Sequence, residues 1–177
     1  SLVECDFQRA EDHEQHERFP EARAAWRAFL AAHPLDARAA EIARRIGATF
    51  ASEATSALER GKRPGAADDG KARAKELFQS AVDEWRKLAQ RFPSSNPASQ
   101  ALVAIGTTLE ERLGDLEGAV AAYRQCTFGA SAPEAAQRLR AMTKPSLALA
   151  TQGVWRQGGK PRVTAQVRNL EKLRVQT

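Results

Sequence analysis

Three times in this chain an alanine is followed four residues later by an aromatic and then at once by an arginine: Ala22…Trp26-Arg27, Ala81…Trp85-Arg86 and Ala119…Tyr123-Arg124. In the first two copies a proline stands eight residues after the aromatic, at Pro34 and Pro93. The third has Ser131 there, with Pro133 two residues later. Residues four apart lie on one face of a helix, so alanine and aromatic share a stripe. A hairpin that cannot bury its stripe alone must stack on a neighbour. The echo therefore constrains the chain to stacked helical hairpins, with Ala22, Trp26, Pro34, Ala81, Trp85, Pro93, Ala119 and Tyr123 as the expected structural core.

Through residue 143 the apolar period is helical. Phe78, Ala81, Val82, Trp85, Leu88, Ala89 and Phe92 recur at steps of three and four, as do Leu102, Ile105, Leu109 and Leu113. Turn chemistry falls at Phe19-Pro20, His33-Pro34, Gly61-Lys62-Arg63-Pro64-Gly65, Ser94-Ser95-Asn96-Pro97 and Gly114-Asp115. The reading is seven helices, at 2–17, 20–32, 36–60, 71–92, 97–113, 115–127 and 133–142, with short connections that make neighbours antiparallel.

After Lys144-Pro145 the period becomes two. Leu147, Leu149 and Thr151 alternate, then 162–167 and 172–176, with Gln157-Gly158-Gly159-Lys160-Pro161 as a turn. The expectation is a mainly α domain over 1–143, then a β segment over 144–177 made of short strands with one buried face. Three or four strands enclose little core alone, so a larger β domain is expected to continue past Thr177.

Charge limits the partners. Residues 144–177 hold Lys144, Arg156, Lys160, Arg162, Arg168, Lys172 and Arg174 against Glu171, a sum of +6 out of a total of +5, leaving −1 for the other 143 residues. A nucleic-acid footprint spreads basic side chains over the binding surface, so no nucleic acid is expected for the helical body. No stretch approaches the roughly 20 apolar residues of a membrane span. Glu4, Asp6, Glu11, Asp12, Glu14 and Glu17 give the N-terminus an acidity unlike a secretory signal. Cys5 and Cys126 show neither a disulfide framework nor a metal spacing, and Cys126, three residues after Tyr123, reads as a small buried hydrophobe.

The alanine–aromatic–proline spacing, with Gly114-Asp115-Leu116 just before Ala119, resembles the tetratricopeptide repeat over about residues 2–142. The family period is about 34 residues; Trp85 to Tyr123 is 38, and Trp26 to Trp85 is 59, which implies a long first helix and an inserted loop around 61–70 in the middle hairpin. Ile105-Gly106 is the nearest echo of the family's first-helix motif. The resemblance implies hairpins stacked as a right-handed solenoid that binds a protein or peptide. From Pro145 onward, Pro145-Ser146-Leu147, Trp155-Arg156, Lys160-Pro161, Val167-Arg168-Asn169-Leu170 and Leu173-Arg174-Val175 resemble the start of the first macroglobulin-like domain of bacterial alpha-2-macroglobulin proteins. That resemblance implies a fragment of a larger protein in a periplasmic or other extracytoplasmic compartment. A free-standing adaptor, whose strand tail pairs with a partner, is the alternative.

Candidate sites are sparse. Asp12-His13-Glu14-Gln15-His16-Glu17 is the one cluster of ligand-type residues, but its histidines are three apart where a zinc-protease helix needs four. It reads as a solvated acidic helix end. No phosphate-binding loop, nucleophile elbow or cysteine–histidine set is apparent, so no catalytic residue, metal site or cofactor is assigned and the chain is read as a non-enzyme. The carboxylate clamp of some tetratricopeptide domains is not supported, since Asn96 and Asn169 are the only asparagines. Arg38, Arg44 and Arg45 on the long first helix are the nearest electropositive surface and the candidate partner-binding residues. His33, in the place of Phe92, is expected to pack against its turn. Arg27, Arg86 and Arg124 are expected to be solvated or paired with acids of the neighbouring hairpin.

Overall fold

The computed structural model describes residues 2–61, 70–151, 163–169 and 172. Among them are seven α-helices: α1 (Leu2–Gln15), α2 (Phe19–Ala32), α3 (Ala39–Gly61), α4 (Gly70–Arg91), α5 (Asn96–Thr108), α6 (Leu116–Gln125) and α7 (Ala132–Thr143). Two strands follow, β1 (Ser146–Thr151) and β2 (Val163–Arg168). The chain divides into two compact units, 1–136 and 137–177. That division falls inside α7, earlier than the boundary after residue 143 drawn from sequence punctuation. At the end of α7, Asn169, at φ 54°, donates through Nδ2 to the carbonyls of Met142 (2.6 Å) and Lys144 (3.2 Å). Those helix-end acceptors are thus satisfied from the strand segment.

In the helical unit α1 packs on α2, α3 on α4, and α5 on α6. Helix starts follow local chemistry. The Ser95 side chain accepts from the Ala98 N–H at α5, the Asp115 carboxylate accepts from Gly118 at α6, and prolines occupy the first turns of α2 and α5. The expected helix over 97–113 has a finer structure. After Thr108 it widens into a π-helical turn, Leu109–Leu113, whose Leu109 carbonyl accepts from both Gly114 and Asp115. Gly114 stands at φ 72°, the left-handed conformation that lets the chain turn straight into the Asp115 cap.

Each recurring aromatic is buried: Trp26 is 0%, Trp85 5% and Tyr123 1% exposed. Ala22, Ala81 and Ala119, one turn earlier, are buried too. The proline expectation needs correction, because Pro34 and Pro93 are exposed and belong to turns, not to the core. His33 and Phe92 carbonyls accept from the N–H three residues on, at Asp36 and Ser95, so each proline takes the second position of a β-turn. A proline there ends the helix by its fixed φ and missing N–H, which requires no burial.

The aromatics sit against small residues on the first helix of their own hairpin. A Cβ built on Gly47 of α3 would lie 2.3 Å from Trp85 Nε1, and one on Gly106 of α5 would lie 2.3 Å from the Tyr123 ring. In the first hairpin Ala10 of α1, fully buried, shares a core cluster with Trp26, Phe29, Ile42 and Ile46. That cluster draws on α1, α2 and α3, so the first hairpin does not close its core alone. Phe50 of α3 packs against it and also against the next cluster, Ala54, Ala57, Ala74, Leu77 and Phe78.

The strand unit holds an antiparallel pair with Leu147 opposite Val167 and Leu149 opposite Ala165. The expected alternation is present, but the expected burial is not: Leu147, Leu149 and Val167 are 44%, 65% and 46% exposed. Two strands alone offer no second layer to cover that face. The expected loop around 61–70 has only its two end glycines, and the turn at 157–161, Trp155 and the strand over 172–176 lie outside the described residues, apart from Lys172.

Alanine is a better helix former than glycine by about 1 kcal/mol, so Gly106→Ala on an unobstructed helix would stabilise. Here the methyl would drive into the Tyr123 ring, and overpacking costs about 1–3 kcal/mol. The expected outcome is net destabilisation, measured as a lower urea midpoint at unchanged slope.

Candidate interaction surface

The three candidate arginines of α3 and its approach do not form one surface. Arg38 donates to Asp36 through Nε and Nη2 (3.0 and 3.1 Å) and to Glu4 of α1 (3.2 Å), with its guanidinium 4.3 Å from the Phe7 ring centre. These bonds, with the Arg38 N–H, hold the Asp36 carboxyl below its usual range. Arg45 reaches Glu11 (2.7 Å) and Glu14 (3.0 Å), also on α1, and lies 4.6 Å over the Trp26 ring. Arg38 and Arg45 therefore join the first helices of adjacent hairpins. Arg44 pairs with Glu41 one turn earlier and lines an open cleft, of about 510 Å³, with Val103, Ala104 and Thr107 of α5 and Glu134 of α7.

Along the acidic stretch at the end of α1, Asp12, Gln15, His16 and Glu17 are exposed, as a solvated helix end requires, whereas His13 and Glu14 are partly buried. Glu14 turns inward to accept from Trp26 Nε1 (3.0 Å) and Arg45. Asp12 pairs with Arg18 and His16. Among the described residues no three His, Cys, Asp or Glu side chains converge on a point that could hold a metal ion. His33 packs against Phe29, ring centres 4.8 Å apart, with Nε2 3.7 Å from Asp6. Of the arginines that follow the aromatics, Arg27 bridges to Glu84 of the next hairpin at 3.1 Å, whereas Arg86 pairs with Asp83 of its own helix at 3.4 Å.

Two features escaped the sequence reading. Ile46-Gly47 is the same dipeptide type as Ile105-Gly106, and its distance from Trp85 was hidden by the long helix and loop between them. The second is Arg23, 7% exposed, which donates to Glu53 at 2.7 Å and stacks 4.0 Å from the Phe50 ring centre. No spacing rule marks one arginine of α2 for burial. The polar ends of the three aromatics follow one rule as well. Trp26 donates to Glu14, Trp85 to the Arg44 carbonyl (3.0 Å), and Tyr123 to Glu110 (3.0 Å), each on the first helix or its π continuation. Comparison with protein families, with curated proteins and with solved structures gives no match.

Removing Arg45 leaves the half-buried Glu14 with a single donor and uncovers Trp26. Arg45→Ala is expected to cost about 1–3 kcal/mol, while Arg44→Ala, losing one partly exposed pair on its own helix, costs about 0.5 kcal/mol or less. Urea unfolding of both variants checks the contrast. Cys126 gives a second check. Burial raises its thiol pKa, and Sγ donates to the Ser99 carbonyl. A raised pKa means less thiolate at a given pH, so at pH 8 a thiol reagent should label exposed Cys5 first and Cys126 only on unfolding, as read by mass spectrometry.

Proposed function

We propose that the helical body is a non-catalytic protein–protein interaction module of tetratricopeptide-like hairpins stacked as a right-handed solenoid. The observation that carries this reading is the recurring seat of an aromatic against a small residue in successive hairpins, which resembles the repeat's helix contact. One open surface lies on the first-helix side, where Arg44, α5 and the start of α7 bound a cleft too shallow and mixed for enclosed chemistry. A protein or peptide fits such a surface through many small contacts.

The second part of the proposal places this module ahead of the first macroglobulin-like domain of a larger alpha-2-macroglobulin-type protein, in a periplasmic or other extracytoplasmic setting. It rests on the residues from Pro145 onward and on the exposed apolar face of β1 and β2, which a further β layer would cover. The alternative is a free-standing adaptor whose strand pair adds to a partner's sheet. Sedimentation of the full chain at several concentrations, beside the same chain carrying Leu147→Lys and Leu149→Lys, separates the two. Association of this chain that both lysines abolish would favour the adaptor, whereas a chain that stays monomeric with or without them would favour the macroglobulin reading.

A further inference from the structure

Two open furrows occupy equivalent places in successive repeats. The first is bounded by α2, α3 and α4 and is lined by Arg27, Leu30, Ala43, Ile46, Glu84 and Lys87, with a volume of about 470 Å³. The second is bounded by α4, α5 and α6 and is lined by Arg86, Ala89, Leu102, Ile105, Ala122 and Gln125, with a volume of about 310 Å³. The first four residues of each set are 59 positions apart, the Trp26–Trp85 spacing, and the last two are 38 apart, the Trp85–Tyr123 spacing.

The furrows differ in charge. In the first, Glu84 accepts from Arg27 across the furrow at 3.1 Å and from Lys87 at 2.9 Å. Its side chain is only 19% exposed, so the furrow carries its own carboxylate between two cations. In the second the arginine is retained as Arg86, but Ala122 stands in place of Glu84 and Gln125 in place of Lys87. Arg86 is half exposed, and its acid is Asp83, on its own helix at 3.4 Å. The floor beside it is apolar and closed, with Leu102, Ile105 and Ala122 all buried. A volume near the lower end of the roughly 300–1,000 Å³ of small-molecule pockets suits one or two side chains better than a cofactor.

Resting on the reading of the helical body as an interaction module, we propose that the second furrow docks a segment of a partner protein that supplies the missing carboxylate. The occupant is an aspartate or glutamate side chain reaching Arg86, carried beside an aliphatic side chain that covers Leu102 and Ile105. The internal precedent is Glu84, which the fold places opposite the equivalent arginine, Arg27, in the first furrow. An ion pair at this rim contributes orientation and association rate.

Selection of displayed random 12-residue peptides on the full chain tests this. Enriched peptides are expected to carry an acid next to Leu, Ile or Val. Their affinity should fall about tenfold or more in Arg86→Gln, and similarly in Ala122→Glu, whose carboxylate would occupy the site as Glu84 does in the first furrow. Circular dichroism confirms that each variant is folded, and Arg86→Gln, at a half-exposed position, carries the test alone should Ala122→Glu disturb the helices. Peptides that lack an acid, or that bind Arg86→Gln as tightly as the unaltered chain, would overturn the furrow assignment and leave the interaction module standing. A selection that enriches no peptide would overturn both.

Discussion

The seat of a large ring against a residue with little or no side chain is the contact on which the rest of the helical unit depends. Trp85 lies where a Gly47 side chain would be, and Tyr123 where a Gly106 side chain would be. That approach brings the two helices of a hairpin together and aims the ring's polar atom at the facing helix. Glu14, the Arg44 carbonyl and Glu110 each accept from it. A buried N–H or O–H without an acceptor would cost about 1–3 kcal/mol, so the acceptor is as much a part of the seat as the glycine. Trp85 shows the requirement most plainly. Ala51 stands four residues after Gly47, where the other two hairpins place a glutamate after Ala10 and Gly106, and a backbone carbonyl serves instead.

Charge then decides what is left over for binding. Arginine is abundant in the helical unit, yet Arg23, Arg38 and Arg45 are drawn into contacts between helices, each against both a carboxylate and an aromatic face. The guanidinium suits that double role because it is planar and weakly hydrated. The first and second hairpins are thereby stitched from α1 to α3 and from α2 to α3, and Arg27 adds a bridge from α2 to Glu84 of α4. Between the second and third hairpins Ala122 and Gln125 stand at the places of Glu84 and Lys87, so the furrow beside Arg86 carries no acid of its own among its lining residues. Partner contact is proposed where the internal pairing lapses.

The helices and the aromatic core were legible because they rest on spacing, which sequence displays directly. Ala22, Trp26, Ala81, Trp85, Ala119 and Tyr123 are buried as their stripes require. Pro34 and Pro93 show the limit of the same logic, since regular spacing marks a turn as readily as a core. Arg38 and Arg45 read as surface because their partners lie on α1, some 30 residues away in sequence, and pairing across hairpins leaves no local trace. The π-helical turn at Leu109–Leu113 was equally invisible, as its apolar period differs from an α-helix by a fraction of a turn over five residues.

Glycine stands at 47 because Trp85 occupies its side-chain space. A double-mutant cycle measures this directly, with Gly47→Ala introduced into the unaltered chain and into Trp85→Leu, and stability read from urea unfolding. Gly47→Ala is expected to destabilise the chain bearing Trp85 and to be neutral or stabilising when the indole is gone, a coupling within the roughly 0.5–3 kcal/mol range of residues in contact. An equal effect of Gly47→Ala in both backgrounds would contradict it.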